Sequence, residues 1–143
     1  MRTVIRTNFD LCTGCSICQL ACSERQTGGY NPRLALLKIR HINEGLIHEP
    51  VVCRQCRNPY CQTVCPVDAV GRDEKTGAII INRDKCTGCG LCAKYCYWGA
   101  IYFNKQDKVV MKCDLCGGSP ACVEECPTGA LELVKVRGDI DNG

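Results

Sequence analysis

Sixteen cysteines in a chain of 143 residues are the feature that most limits what this protein can fold into. They form four groups of four, and the first and third groups share the spacing C-x2-C-x2-C-x3-C. The second group is spaced C-x2-C-x4-C-x3-C and the fourth C-x2-C-x5-C-x3-C, each followed directly by proline. In sequence order the cysteines are Cys12, Cys15, Cys18 and Cys22; Cys53, Cys56, Cys61 and Cys65; Cys86, Cys89, Cys92 and Cys96; Cys113, Cys116, Cys122 and Cys126. With so many potential ligands, we expect cross-links to replace part of an ordinary apolar core.

Three kinds of cross-link compete to explain the cysteines. A disulfide framework is typical of secreted proteins, and the N-terminal sequence MRTVIRTNFD has no apolar run that could serve as a signal peptide. Zinc sites pair two C-x2-C units across a longer gap, whereas here the third and fourth cysteines follow closely in every group. The C-x2-C-x2-C-x3-C run is the bacterial ferredoxin pattern for [4Fe-4S] clusters. The spacing therefore favours four [4Fe-4S] clusters with four thiolates each, in a reducing compartment, most simply the cytoplasm.

The charge balance bears on the choice of partner. The chain has a formal charge of +3 at pH 7, but each oxidised cluster with its four thiolates carries about −2, so the loaded protein would carry about −5. No run of five Lys or Arg is present, and no stretch approaches the roughly 18 apolar residues of a membrane span. We therefore expect no nucleic-acid partner and no direct membrane insertion.

The segments between the cysteine groups predict an α+β fold of two fused bacterial-ferredoxin-like modules, with short strands, short helices and cluster-binding loops. A sequence C-x3-A-[VIL] begins at the last cysteine of three groups, which indicates an internal repeat. The first group lacks this sequence. The longest segment without cysteine predicts a hairpin with strands at 34–42 and 46–52. Further strands are expected at 3–7, 78–82, 109–112 and up to Val136, helices at 16–25 and 90–95, and a frayed tail at 137–143.

Glycine precedes the second cysteine in two of the four loops. Gly14 and Gly88 occupy a position where a positive φ is often required and where a side chain would crowd the cluster. Gln55 and Leu115 stand at the corresponding position of the other two loops. The sequence therefore predicts that those two loops are shaped differently.

The fourth cysteine of each group is expected to serve a neighbouring cluster. In two-cluster ferredoxins it ligates the other cluster, because the chain has by then begun a helix. Pro66 and Pro127 lack an N–H group and turn the chain away after Cys65 and Cys126. Each pair could combine a group that has this proline with one that lacks it, but spacing alone leaves open which groups pair.

The order and spacing of the groups over residues 12–126 resemble a known family. The chain is similar to the four-cluster, ferredoxin-like electron-transfer subunits of molybdenum- and tungsten-pterin oxidoreductases, typified by small subunits of dimethyl sulfoxide reductase and of formate dehydrogenase relatives. Because it lacks their long insertions and membrane anchors, it looks most like the compact forms. Those forms accompany aldehyde oxidoreductase-type tungsten enzymes, including the class that reduces benzoyl-coenzyme A.

The resemblance implies a ligand set, since in that family the first group pairs with the fourth and the second with the third. The implied sets are Cys12, Cys15, Cys18 and Cys126 for cluster 1; Cys22, Cys113, Cys116 and Cys122 for cluster 2; Cys53, Cys56, Cys61 and Cys96 for cluster 3; Cys65, Cys86, Cys89 and Cys92 for cluster 4. The corresponding modules are 1–30 with 105–136 and 50–104, with a hairpin insertion at 31–52. All belong to one compact polyferredoxin, 1–143.

These features predict an electron-transfer subunit rather than an enzyme. The expected partners are a larger catalytic oxidoreductase subunit, implied to be a pterin-metal protein, and a further electron-carrier subunit. The alternative is a freely diffusing polyferredoxin that serves several redox enzymes. Catalysis by the chain itself is disfavoured because sixteen cysteines leave no iron without a ligand.

Four aromatic residues and two histidines lie close to cysteines in the sequence or in the hairpin. We expect Tyr95, Tyr97, Trp98 and Tyr102 to pack over a cluster and exclude water. His41 and His48 are expected to have surface or packing roles.

Overall fold

The computed structural model describes residues 2–104 and 108–136, which form short strands and helices joined by the cysteine-bearing loops. The strands are β1 (Arg2–Thr7), β2 (Lys38–Ile42), β3 (Ile47–Val51), β4 (Val70–Arg72), β5 (Ile79–Ile81), β6 (Ile101–Asn104), β7 (Val109–Lys112) and β8 (Leu131–Val136). The α-helices are α1 (Ile17–Thr27), α2 (Tyr60–Thr63), α3 (Leu91–Tyr95) and α4 (Ala121–Glu125), and Pro32–Leu34 and Leu115–Gly118 are 3-10 helices. The predicted α+β class with short elements is confirmed.

The strands pair two by two in antiparallel ladders. β1 pairs with β8, which brings the two ends of the described part of the protein together with Val4 opposite Val134. β2 pairs with β3, β4 with β5, and β6 with β7. Val4 and Ile5 of β1 are each only 1% exposed, so this first ladder anchors one end of the core.

Helix α1 brings two cysteines of the first group onto one face. Gly28 ends the helix in the left-handed conformation with φ 78°, and its N–H donates to the Glu24 carbonyl at 2.7 Å. Cys18 and Cys22 are four residues apart in the helix and are both buried, as expected for side chains on one face. The helix runs two residues past the predicted end at residue 25.

The predicted hairpin is present, but its strands are shorter than the sequence suggested. The Asn31 side chain accepts a hydrogen bond from the Arg33 N–H at 3.1 Å and starts a 3-10 turn in place of the first strand residues. The next segment, Ala35 to Leu37, is buried, and the Leu36 N–H donates to the Cys22 sulfur at 3.2 Å. Because this N–H bonds a cysteine rather than a neighbouring strand, the ladder begins only at Lys38.

The remaining predicted elements agree with the structure to within a residue or two, and β4, β6, α2 and α4 add to them. The predicted tail at 137–143 lies outside the described residues. The division into two modules and a hairpin insertion stays a prediction. In the part of the protein that the structure describes, no helix is long and apolar enough to cross a membrane.

Candidate iron–sulfur centres

The first three cysteines of the sequence lie near the last one. The Cys18 thiol interacts electrostatically with Cys126, Cys12 and Cys15, the four residues expected to hold cluster 1. Helix α1 packs against α4, and this contact returns the C-terminal segment to the first loop.

The second set lies deepest in the protein. Cys22, Cys113 and Cys122 are each no more than 8% exposed. Cys122 interacts electrostatically with Cys113, Cys22 and Cys116, so all four thiols expected for cluster 2 belong to one neighbourhood.

The third set surrounds a cavity. Cys53, Cys56, Cys61 and Cys96 all line it, and the Cys61 thiol interacts with the other three. The walls are otherwise mainly apolar or aromatic, which suits a cluster that water should not reach.

The fourth set also lines a single cavity. Cys65, Cys86, Cys89 and Cys92 open onto it together with small and aliphatic side chains. The Cys92 thiol interacts electrostatically with Cys86, Cys89 and Cys65. Apolar walls with four thiols match the donor set that a [4Fe-4S] cluster requires.

All sixteen cysteines are free thiols in the structure. Burial raises the pKa of the Cys18 and Cys61 thiols to about 12, and it also raises the pKa of Cys122. Such thiols are neutral at physiological pH, so binding of iron must displace their protons. Among the described residues, no three His, Cys, Asp or Glu side chains are arranged to hold one metal ion; a cubane spreads four cysteines over four irons.

The C-x3-A-[VIL] repeat has a structural role that the sequence did not disclose. Its alanines, Ala69, Ala100 and Ala130, are at most 3% exposed, and a strand begins at the next residue each time. The Ala69 N–H donates to the Cys65 sulfur at 3.2 Å. In the second group the repeat thus turns the backbone so that an N–H donor faces the last cysteine.

The same turn around Cys126 changes the acidity of its thiol. Burial alone would raise the pKa of Cys126, but hydrogen bonds from the Leu131, Thr128 and Ala130 backbones and from the Thr128 hydroxyl lower it below its usual value. N–H donors aimed at sulfur favour the thiolate that a cluster binds.

The first group lacks the repeat, and the hairpin segment replaces it. Leu36 donates its N–H to the Cys22 sulfur at 3.2 Å, and Leu37 supplies a further backbone hydrogen bond. The segment before β2 therefore supplies backbone N–H donors to the Cys22 sulfur, as the local turn supplies one to the Cys65 sulfur.

The prediction that two loops are shaped differently is wrong at the glycine position, although the fourth-group loop does differ beyond it, with a 3-10 helix at Leu115–Gly118. Gly14 and Gly88 have φ of 73° and 75° as expected, but Gln55 and Leu115 are also left-handed, with φ of 48° and 60°. Both non-glycine side chains are 0% exposed. Their burial offsets the cost of about 1 kcal/mol or more that a positive φ imposes on a residue with a Cβ.

Gln55 owes its position to a buried hydrogen-bond network. Its amide nitrogen donates to the Cys113 carbonyl at 2.9 Å, and its amide oxygen accepts from the Ile79 N–H at 2.7 Å. Lys112, only 5% exposed, donates to the Gln55 oxygen at 3.4 Å, to the Cys113 carbonyl at 2.8 Å and to the Ile79 carbonyl. Three acceptors match the three donors of an ammonium group, so a positive charge lies between the second and third cysteine sets.

Successive sets adjoin one another in the order one to four. Cys18 interacts with Cys122, and Cys113 interacts with Cys53. Cys61 and Cys96 of the third set pack against the apolar cluster that contains Cys92 of the fourth. The exposed cysteines are Cys15 in the first set and Cys89 in the fourth. The two end sets therefore reach the surface, whereas the two middle sets have no exposed cysteine.

The aromatic residues around the third group divide into two kinds. Tyr97 is 89% and Tyr95 52% exposed, although both line the cavity of the third set, whereas Trp98 and Tyr102 pack against the core. The two histidines lie opposite each other on β2 and β3, with 2.8 Å between their Nδ1 atoms.

The comparisons with known proteins agree with this geometry. The family model of the 4Fe-4S dicluster domain matches residues 45–136. An uncharacterized ferredoxin of Methanocaldococcus jannaschii is 42% identical over 136 residues, covering 95% of this chain and 74% of that protein. The polyferredoxin-like subunit of aliphatic sulfonate oxidoreductase from Pyrococcus furiosus is 35% identical over 127 residues, covering 89% and 73%.

The chain is also similar to a reductase subunit and to a component of a solved enzyme complex. A subunit of the anaerobic dimethyl sulfoxide reductase of Escherichia coli is 32% identical over 155 residues, covering 90% of this chain and 74% of that subunit. A component of the active-site complex BamBC of benzoyl coenzyme A reductase shares the fold, with a TM-score of 0.55 and 20% identity over 96% of this chain and 82% of that component. The protein is thus homologous to the electron-transfer subunits of larger oxidoreductase complexes and not to their catalytic subunits. It belongs to the 4Fe-4S dicluster domain family and is a ferredoxin-like electron-transfer protein that carries [4Fe-4S] clusters.

Proposed function

We propose that the protein is a four-cluster relay that passes single electrons between a catalytic oxidoreductase subunit and an external carrier. The observation that carries this proposal is the linear order of the four cysteine sets, with an exposed cysteine only in the first and the last. A relay needs ends that a partner can approach and a middle that is less accessible, and the positions of the exposed cysteines fit both requirements.

The ligands we assign are those implied by the family resemblance. Cluster 1 is held by Cys12, Cys15, Cys18 and Cys126; cluster 2 by Cys22, Cys113, Cys116 and Cys122; cluster 3 by Cys53, Cys56, Cys61 and Cys96; cluster 4 by Cys65, Cys86, Cys89 and Cys92. The electrostatic neighbourhoods of Cys18, Cys122, Cys61 and Cys92 support each set in turn. The modules 1–30 with 105–136 and 50–104 then hold clusters 1 and 2 and clusters 3 and 4.

When bound, each cluster accepts and releases one electron, and the protein sets the conditions for that step. Backbone N–H groups of Ala69 and Leu36 stabilise the negative charge on sulfur. The Lys112 ammonium places a compensating charge between clusters 2 and 3. Leu115 and Leu37, each at most 1% exposed, keep water from the middle of the relay.

The partner we propose is a larger catalytic subunit that carries a tungsten- or molybdenum-pterin. Support comes from the relatives, which include subunits of sulfonate oxidoreductase and dimethyl sulfoxide reductase. We place the complex in the cytoplasm, because sixteen free thiols and their clusters require a reducing compartment.

Anaerobic purification of the tagged protein from its native host tests the proposal. We expect a larger subunit to co-purify in fixed stoichiometry, with tungsten or molybdenum detected by mass spectrometry. We also expect its substrate to reduce the clusters in the electron paramagnetic resonance (EPR) spectrum. Recovery of the fully loaded protein as a monomer, reduced equally well by several unrelated enzymes, would instead support the freely diffusing polyferredoxin.

A further inference from the structure

Tyr102 lies where the second and third cysteine sets meet. It belongs to β6, opposite Met111 of β7, and its side chain packs against the core that contains Cys22, Cys53 and Cys113. Its phenol interacts electrostatically with Cys22, Cys96, Cys53 and Cys113, two cysteines from each of the two sets. No other tyrosine in the described residues is placed in this way.

The hydroxyl of Tyr102 is buried and, among the described residues, has no hydrogen-bond partner in the protein. Leaving such a group unsatisfied costs about 1–3 kcal/mol, and unsatisfied hydroxyls in native cores are few. A partner absent from the polypeptide itself is therefore expected at this position.

The surroundings identify the chemistry of that partner. The Lys38 ammonium stands 5.5 Å from the centre of the Tyr102 ring and donates its own hydrogen bonds to the Pro32 and Arg33 carbonyls at 2.8 and 2.9 Å. An ammonium cannot accept a hydrogen bond. The titratable groups that interact with the Tyr102 phenol are cysteine thiols of the two middle sets, and sulfur bound to iron is an anionic acceptor.

We propose that the Tyr102 hydroxyl donates a hydrogen bond to a sulfur atom of cluster 2 or cluster 3 and thereby sets the potential of the electron step between the two modules. This inference rests on the proposed function, since it requires clusters in both sets. A donor to sulfur stabilises the more negative reduced state, so it raises the reduction potential.

Tyr102→Phe tests the inference, because it removes one oxygen and keeps the ring. In the anaerobic holoprotein, we expect the equilibrium constant for reduction of one middle cluster to fall about tenfold, which is about 59 mV for one electron. Redox titration followed by EPR measures this change. Tyr30→Phe is the matched control, because Tyr30 is 76% exposed and its hydroxyl is free to bond water.

A second substitution separates hydrogen bonding from packing. Replacement of Tyr102 by 3-fluorotyrosine strengthens the phenol as a donor with little change in shape, so the same potential should rise. Opposite shifts in the two variants support the hydrogen bond. Shifts of the same sign, or unchanged potentials in a fully loaded variant, would overturn it.

The iron content keeps the two proposals apart. Wild-type protein with far fewer than about sixteen irons per chain would contradict the four-cluster relay itself. Full iron content in the wild-type protein, together with potentials that neither substitution at Tyr102 changes, would contradict this inference alone.

Discussion

The loops of the end sets and of the middle sets share a left-handed residue before their second cysteine, but they place different residue types there. The loops of the first and fourth sets use Gly14 and Gly88 at the left-handed position, and each has an exposed cysteine. The loops of the second and third sets use Leu115 and Gln55 at the same position, with fully buried side chains. At this position the middle loops therefore contribute a side chain to the core, whereas the end loops contribute none and each has a cysteine at the surface.

The comparison predicts that removing a middle ligand is far more damaging than removing an end ligand. Cys122→Ser leaves a hydroxyl buried in the core and one iron without its thiolate, so we expect a broad loss of clusters and of the folded state. Cys89→Ser, at an exposed position, should lose at most one cluster, about four irons, and retain the rest. Iron analysis and circular dichroism of the two variants measure this; equal losses would contradict the distinction.

A smaller but still large effect is expected at the end loops. A Cβ at Gly88 would collide with the Lys108 backbone carbonyl, whereas one at Gly90 meets nothing within 4 Å. Both glycines have positive φ, 75° and 76°, so the pair separates the collision from the backbone strain. We expect Gly88→Ala to lose the fourth cluster and Gly90→Ala to keep it, with iron content and EPR intensity as the measurements. Loss of cluster 4 in both variants would mean that the collision with Lys108 is not what decides.

Gln55→Met should weaken the junction of the middle sets without removing a ligand. The substitution leaves the Ile79 N–H without its acceptor and removes one of the three hydrogen-bond acceptors of Lys112. We therefore expect the free energy of unfolding to fall by about 2–3 kcal/mol. Gln62→Met, at an exposed position on α2, is the control. The thermal unfolding midpoint of the anaerobic holoprotein measures the effect, and an unchanged midpoint would mean that the network adds nothing to stability.

The smallest expected effect is kinetic and concerns removal of metal from the wild-type protein. An iron chelator reaches exposed clusters first, so we expect about half of the iron, that of clusters 1 and 4, to leave in an early phase. Release in a single phase would show that the middle sets are no better protected than the ends.

The cysteine spacing was sufficient to predict the cofactor, because ligand geometry is local and short-range. The apolar segments between the groups predicted the fold class and most strands. Glycine before the second cysteine correctly predicted a positive φ in two loops. The same conformation was missed at Gln55 and Leu115. Gln55 is held there by Cys113 and Ile79, which are distant in sequence. The backbone donor to Cys22 was also missed, since Leu36 lies fourteen residues away and nothing in its sequence marks it. The buried ammonium of Lys112 was hidden for the same reason: its acceptors belong to other segments.

The linear relay is tested most directly by Mössbauer spectroscopy of anaerobically purified, iron-57-labelled protein, with the iron quantified per chain. We predict about sixteen irons, all in oxidised [4Fe-4S] clusters, and reduction with dithionite should give EPR signals broadened by coupling between neighbouring clusters. About eight irons per chain, or reduced clusters that show no magnetic coupling to one another, would contradict it.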